Sequence, residues 1–146
     1  VPGDAGLLED GTVRINVWAS PRSLSTALMY SFAQQRPDTV VYDEPLYAHF
    51  LRTHAEEETW RPYRDKVFEE QDSDGDRWMR DVALGPTEKP VVYMKHIAKQ
   101  VRNLDISFLP KCRNVIQIRT PIHMLPSWNT HIRANMKEVR WRESWW

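Results

Sequence analysis

Residues 14–35, RINVWASPRSLSTALMYSFAQQ, change their hydrophobic period at one short loop, and that change decides the fold. Ile15, Val17 and Ala19 alternate with Asn16 and Trp18 in the period of two that a strand requires, and Val13 extends the β-branched run backwards. From Ser23 onward Leu24, Ala27, Leu28, Ser31 and Phe32 fall on the i, i+3, i+4, i+7, i+8 stripe of an amphipathic helix. Ser20-Pro21-Arg22-Ser23 joins the two. A strand that enters a helix through so short a loop aims unpaired backbone N–H groups, and the positive end of the helix dipole, at one point. Such a point attracts an anion, most often phosphate. The hydroxyls of Ser23, Ser25 and Thr26 and the guanidinium of Arg22 add side-chain donors. The plainer alternative is that Ser23 caps the helix and Arg22 is solvated, and spacing alone does not separate the two. The triphosphate signature G-x-x-x-x-G-K-[ST] is absent, which disfavours an ordinary ATP- or GTP-hydrolysing site.

The rest of the composition narrows the class. A chain of 146 residues, 41% hydrophobic and 27% charged, is ordinary for one soluble globular domain and leaves no room for a second. No apolar run reaches the length of a membrane span, so no membrane partner is expected. Net charge is zero, so no global field draws the chain to nucleic acid. Residues 101–146 nevertheless hold 8 basic and 3 acidic side chains against 12 and 17 in residues 1–100, which makes the C-terminal third the anion-binding side. The single Cys112 excludes an internal disulfide and a thiolate cluster and fits a reducing compartment. Val1 in place of methionine and the terminal pair Trp145-Trp146 read as the ends of a fragment or a processed piece. Val1 to Gly11, with three glycines and a proline, reads as a loosely ordered lead-in.

Three further strand-to-loop junctions follow. Thr39 to Tyr42 is a short β-branched strand, and Asp43-Glu44-Pro45 leads to a helical stripe at Leu46, Tyr47, Phe50 and Leu51, with Pro45 in its first turn. Asp43 or Glu44 caps that helix, or a carboxylate at the end of a parallel strand faces a ligand crevice and serves as a base. Glu56 to Asp81, with ten acidic and five basic residues and a thin apolar face at Trp60, Tyr63, Val67 and Phe68, predicts one or two exposed helices. Within it Asp72-Ser73-Asp74-Gly75-Asp76 reads as a solvated turn, since its glycine and acids miss the calcium-loop positions. Pro90 to Lys95 is a nearly all-apolar third strand of the kind buried on both faces, with Lys95 and His96 at its end. Either the two are a snorkelling lysine and a surface histidine, or they stand at the crevice that parallel strand ends line. His49, His54 and His123 have no ligand spacing, and no metal is expected. Asn114 to Ile118 is the fourth strand, and Arg119-Thr120-Pro121 opens a helix through Leu125, Trp128 and Ile132.

SPRSLSTAL resembles the 5′-phosphosulfate loop of the sulfotransferases, whose common forms read PKSGTTWL or PRSGSTLL. The resemblance puts Arg22 at the loop's basic position and Ser23, Ser25 and Thr26 at its hydroxyl positions, and Leu24 stands where the family usually has glycine. YDEPLY resembles the EPL segment after the second strand of carbohydrate-type members, which raises Glu44 as the base. Lys95 and His96 are similar to the lysine and histidine at the end of the corresponding strand in the cytosolic members, although here they are adjacent. Arg119, followed eight residues later by Ser127, matches the 3′-phosphate motif, in which an arginine forks two phosphate oxygens and a serine adds a hydroxyl. The resemblance spans residue 13 to about residue 135 and extends to the sulfotransferase-like domain of plant branched-chain-aminotransferase-like proteins.

It implies an α/β fold of three-layer P-loop type, with a mostly parallel sheet of at least four strands flanked by helices, here the N-terminal part of one domain truncated at its C-terminus. It implies binding of 3′-phosphoadenosine 5′-phosphosulfate (PAPS) and transfer of its sulfuryl group to a hydroxyl or amine of a small-molecule acceptor. Arg22 and Lys95 would stabilise the leaving phosphate, and Glu44 or His96 would be the base. Cytoplasm or plastid would be the compartment. Two rivals stay open: a small-molecule kinase that uses Arg22 with magnesium and ATP, and a non-catalytic module that keeps the nucleotide site for regulation.

Overall fold

The computed structural model describes residues 10–54 and 63–136, which leaves the Trp60 part of the predicted exposed face, most of the lead-in and the Trp145-Trp146 end outside the described residues. Its elements in chain order are β1 (Val13–Ala19), α1 (Ser25–Gln35), β2 (Thr39–Asp43), α2 (Tyr47–Thr53), α3 (Arg64–Glu70), α4 (Gly75–Trp78) running into a π-turn (Met79–Ala83), β3 (Val91–Ile97), two 3₁₀ turns (Ala98–Val101 and Ile106–Lys111), β4 (Arg113–Gln117) and α5 (Pro121–Met136). The strands form one all-parallel sheet in the order β2-β3-β1-β4. The chain is therefore an α/β protein.

The strand period sorts side chains to two faces. On one, Ile15, Val17, Val41 and Tyr93 receive Met29 and Phe32 of α1, with the Phe32 and Tyr93 rings 4.9 Å apart. On the other, Val92, Met94, Trp18 and Tyr42 pack beneath Leu46, Trp78, Met79, Leu104 and Phe108. Trp78 meets Tyr42 edge-on at 5.2 Å. The segment read from sequence as one or two exposed helices thus divides. No described residue of α3 is buried, while α4 and its π-turn carry Trp78, Met79 and Ala83 into the core. The acids that masked this apolar set cap the helix: Asp74 accepts from the Arg77 N–H, and Asp72 pairs with the Arg77 guanidinium at 2.7 Å. Gly75 is held so close to the His49 ring that a Cβ there would lie 2.7 Å from it.

Asn16 and Arg14, on the strand face opposite Val17, are fully buried. The Arg14 guanidinium takes up carbonyls freed where the π-turn ends, donating to Ala83 and Gly85 at 2.8 Å each and to Asp10 at 2.8 Å. The hydrogen bonds from Arg14 and from the Thr12 N–H hold the Asp10 carboxyl down at about 2. β3 is buried through His96, as its apolar run implied. β4 has β1 as its neighbour on one side, and Val115 and Ile116 are exposed. Among the described residues no helix is long and apolar enough to cross a membrane.

The register aligns Ala19 with Ile97 and Gln117, and Asp43 with Lys95. Every strand thereby ends at the same edge of the sheet. In an open parallel sheet this edge is where ligands bind.

Candidate functional site

At that edge lies a cavity of about 330 Å³ lined by Ser20, Pro21, Arg22, Leu24, Ser25, Thr26, Ala27, Glu44, Lys95, Ile97, Arg119 and Ser127. Residues from all four strand ends and from two helices meet in it. Of the residues singled out in the sequence it gathers Arg22, Leu24, Ser25, Thr26, Glu44, Lys95, Arg119 and Ser127. Ser23 and His96 are outside its wall.

The loop is a tight turn closed by the Ser23 N–H on the Ser20 carbonyl at 3.3 Å. Arg22 and Leu24 take left-handed backbone conformations, φ 64° and 69°. Leu24, where a glycine would be unstrained, is the N-cap position of α1, and it has no side-chain group that can satisfy the helix's first N–H groups. Ser25, Thr26 and Ala27 therefore present the open positive end of α1 to the cavity. Ser23 does not cap the helix. Among the described residues its buried hydroxyl has no hydrogen-bond partner, and its carbonyl accepts from Gln117 Nε2 at 2.9 Å.

Three further hydrogen bonds tie this loop to the start of α5. Arg22 Nε donates to Ser127 Oγ at 3.1 Å, Arg119 Nη1 donates to the Arg22 carbonyl at 2.8 Å, and Ser20 Oγ donates to Met124 Sδ at 3.4 Å. Arg119 and Ser127 thus meet on Arg22, and most donors of both guanidinium groups remain for an anion. Proline at the first position of α5 gives up no hydrogen bond there, and its fixed φ helps place Ser127 within the second turn facing the loop.

Across the cavity, Lys95 Nζ donates to Asp43 Oδ1 and Glu44 Oε1 at 2.7 Å each and to Thr26 Oγ1 at 3.3 Å. Burial works against its charge, but the hydrogen bonds to Asp43 and Glu44 more than offset that, so the ammonium is held above the usual lysine range. Glu44 Oε2 accepts from the buried Gln100 at 2.8 Å. Neither acid caps α2. Its N-cap position is Leu46, so Pro45 precedes the helix instead of lying in its first turn. Asp43 and Gln100 complete this cluster. Asp43 was legible only as one of two acids in the turn, and nothing in the sequence around Gln100 distinguishes it.

The strand alternation sends His96 to the opposite face from Lys95. It is fully buried, stacks on Trp18 at 4.8 Å and donates from Nε2 to Asn16 Oδ1 at 3.2 Å, while Asn16 donates on to Asn114 at 3.1 Å. Burial pushes its pKa down to about 3, so the ring is neutral. The structure places this histidine in the core, out of reach of the cavity.

Sequence comparison matches the chain to plant proteins and to one protein family. Over 114 residues the chain is 43% identical to branched-chain-amino-acid aminotransferase-like protein 2 of Arabidopsis thaliana and 46% identical to the like protein 1 of the same plant, covering 77% of this chain and 20% of each relative. The chain thus spans about a fifth of the length of the curated relatives it matches. No solved structure matches it. The family described as "Sulfotransferase domain" matches residues 13–140, nearly the whole chain. With this match over most of its length and an all-parallel α/β sheet, the chain belongs to the sulfotransferase domain family.

Proposed function

We propose that the cleft binds PAPS and that the domain transfers its sulfuryl group to a hydroxyl or amine of a small-molecule acceptor. The observation that carries this reading is the convergence of the open α1 N-terminus, Arg22, Arg119 and Lys95 on one cavity that also holds the Glu44 carboxylate. Anion cradle and proton acceptor therefore share a wall. The cavity lies within the usual volume range for cofactor sites.

The residues fit such a cofactor: first-turn N–H groups without caps, and guanidinium groups that among the described residues pair with no carboxylate, suit phosphate groups. The N-terminus of α1 and Arg22 would hold the 5′ end, with Arg119 and Ser127 at the 3′-phosphate. When bound, PAPS would supply the sulfuryl group and leave as 3′-phosphoadenosine 5′-phosphate. Lys95 keeps a full positive charge beside the loop and is positioned to stabilise negative charge that develops there. Glu44 takes the acceptor's proton on a carboxylate oxygen, and Gln100 orients that carboxylate.

Calorimetric titration of the full chain with 3′-phosphoadenosine 5′-phosphate, AMP and ATP tests the reading. The 3′-phosphorylated nucleotide should bind at least about tenfold tighter than AMP, a factor that needs about 1.4 kcal/mol. ATP or AMP binding equally well overturns it and favours the kinase. Tight binding of the 3′-phosphorylated nucleotide, without turnover of PAPS by the full-length protein on any hydroxyl or amine acceptor, favours the regulatory module.

A further inference from the structure

Lys95 lies between two carboxylates that are not equivalent. An ammonium has three N–H donors, and those of Lys95 go to Asp43, Glu44 and, by the longest contact at 3.3 Å, Thr26 in the first turn of α1. An anion on that turn would compete first for the N–H that Lys95 gives to Thr26. Glu44 lines the cavity, and its second oxygen is taken by Gln100. Asp43 is outside the cavity wall, is 41% exposed, and among the described residues takes a side-chain hydrogen bond from Lys95 alone. Its position is set by the sheet, because Asp43 and Lys95 are register partners across β2 and β3. Asp43 therefore cannot follow the ammonium if it moves toward the loop.

We propose that Asp43 is a positioning residue that holds the Lys95 ammonium back from a bound nucleotide, weakening nucleotide binding so that the spent cofactor can leave. The inference rests on the sulfonucleotide reading of the cleft. Glu44 loses its charge, and with it much of its hold on Lys95, when it accepts a proton. Asp43 remains as the counter-ion. Without it the ammonium would pair with the product's phosphate, and release would slow. Asp43 lines no part of the cavity, so its effect on a bound nucleotide runs through the ammonium it holds.

Asp43→Asn keeps the side chain's shape and removes its charge. In calorimetry on the full chain the variant should bind 3′-phosphoadenosine 5′-phosphate about three- to tenfold tighter than the parent, the size expected for one unit charge near a partly solvated anion. A residue with a merely structural role would, when replaced, leave affinity unchanged or weaken it. Asp43→Glu, which restores the charge, should return affinity toward the parent value. In a Lys95→Met background Asp43→Asn should change affinity less than about twofold, because the residue acts through the ammonium. Unchanged or weaker binding by Asp43→Asn, with the parent chain still preferring the 3′-phosphorylated nucleotide over AMP, overturns this inference alone. A parent chain without that preference overturns the reading of the cleft, and this inference with it.

Discussion

Arg22 Nε donates to the Ser127 hydroxyl at 3.1 Å, joining the loop after β1 to the second turn of α5 across 105 positions of sequence. Since Arg119 also donates to the Arg22 carbonyl, the expected 5′ and 3′ phosphate sites share hydrogen bonds in the protein itself. Arg22→Ala should weaken binding of 3′-phosphoadenosine 5′-phosphate by about 1.5–3 kcal/mol, the range for a hydrogen bond to a charged group. Ser127→Ala should do less. The double variant should depart from additivity by roughly 0.5 kcal/mol or more, because each single change also releases the other's partner. Additive effects in the calorimetric cycle would show that the contact carries no coupling.

Arg119→Ala isolates the 3′-phosphate. Its guanidinium spends one donor on Arg22 and keeps the others for a ligand. The variant should lose most of the preference for 3′-phosphoadenosine 5′-phosphate over AMP and hardly change AMP binding. A preserved ratio removes Arg119 from the site.

Glu44 should matter to turnover more than to binding. Glu44→Gln is expected to lower kcat of the full-length protein by about 10² to 10⁴, as for loss of a general base, with nucleotide affinity no weaker. His96→Gln should leave kcat within a few fold, since the ring lies on the far face of the sheet. A kcat loss confined to the His96 variant would reverse the two assignments.

The same histidine predicts an acid limb to stability. Its folded-state pKa is depressed to about 3 from an ordinary 6.5. Below 6.5 the unfolded chain therefore binds a proton that the native state refuses. Stability attributable to His96 is whole above pH 6.5 and is lost as pH falls toward 3, at up to about 1.4 kcal/mol per pH unit. Denaturant unfolding between pH 7 and 4 should show a shallower slope for His96→Gln than for the parent by up to that amount. Parallel curves would mean that the imidazole is solvated.

Leu24 carries backbone strain at φ 69° and is 61% exposed. Left-handed geometry costs an ordinary residue about 1–2 kcal/mol, partly offset by the greater unfolded-state freedom of glycine. Leu24→Gly should therefore be neutral or stabilising by up to about 1 kcal/mol, and Leu24→Val destabilising. Thermal unfolding decides, and a marked loss for Leu24→Gly would show that the leucine side chain packs in solution.

The strand-loop-helix at residues 14–35 and the β3 run were legible because local periodicity and turn chemistry set them, while the Arg119 to Ser127 pair came only from resemblance to a family motif. Strand order and register were not, since they depend on pairing between residues far apart in the chain. This is why Lys95 and His96, adjacent in sequence, were equal candidates until the sheet was known. A period of two sends neighbours to opposite faces, and only the packing of α1 on one face reveals which of them meets the loop. The burial of Arg14 and Asn16 was hidden for a related reason: alternation marks a solvated face in a one-sided sheet, but this sheet is covered on both. Sequence brought Arg22, Glu44, Lys95, Arg119 and Ser127 forward as candidates for anion and proton chemistry. Tertiary structure decided that Asp43 and Glu44 close on one ammonium, because that geometry exists only once β2 and β3 are in register.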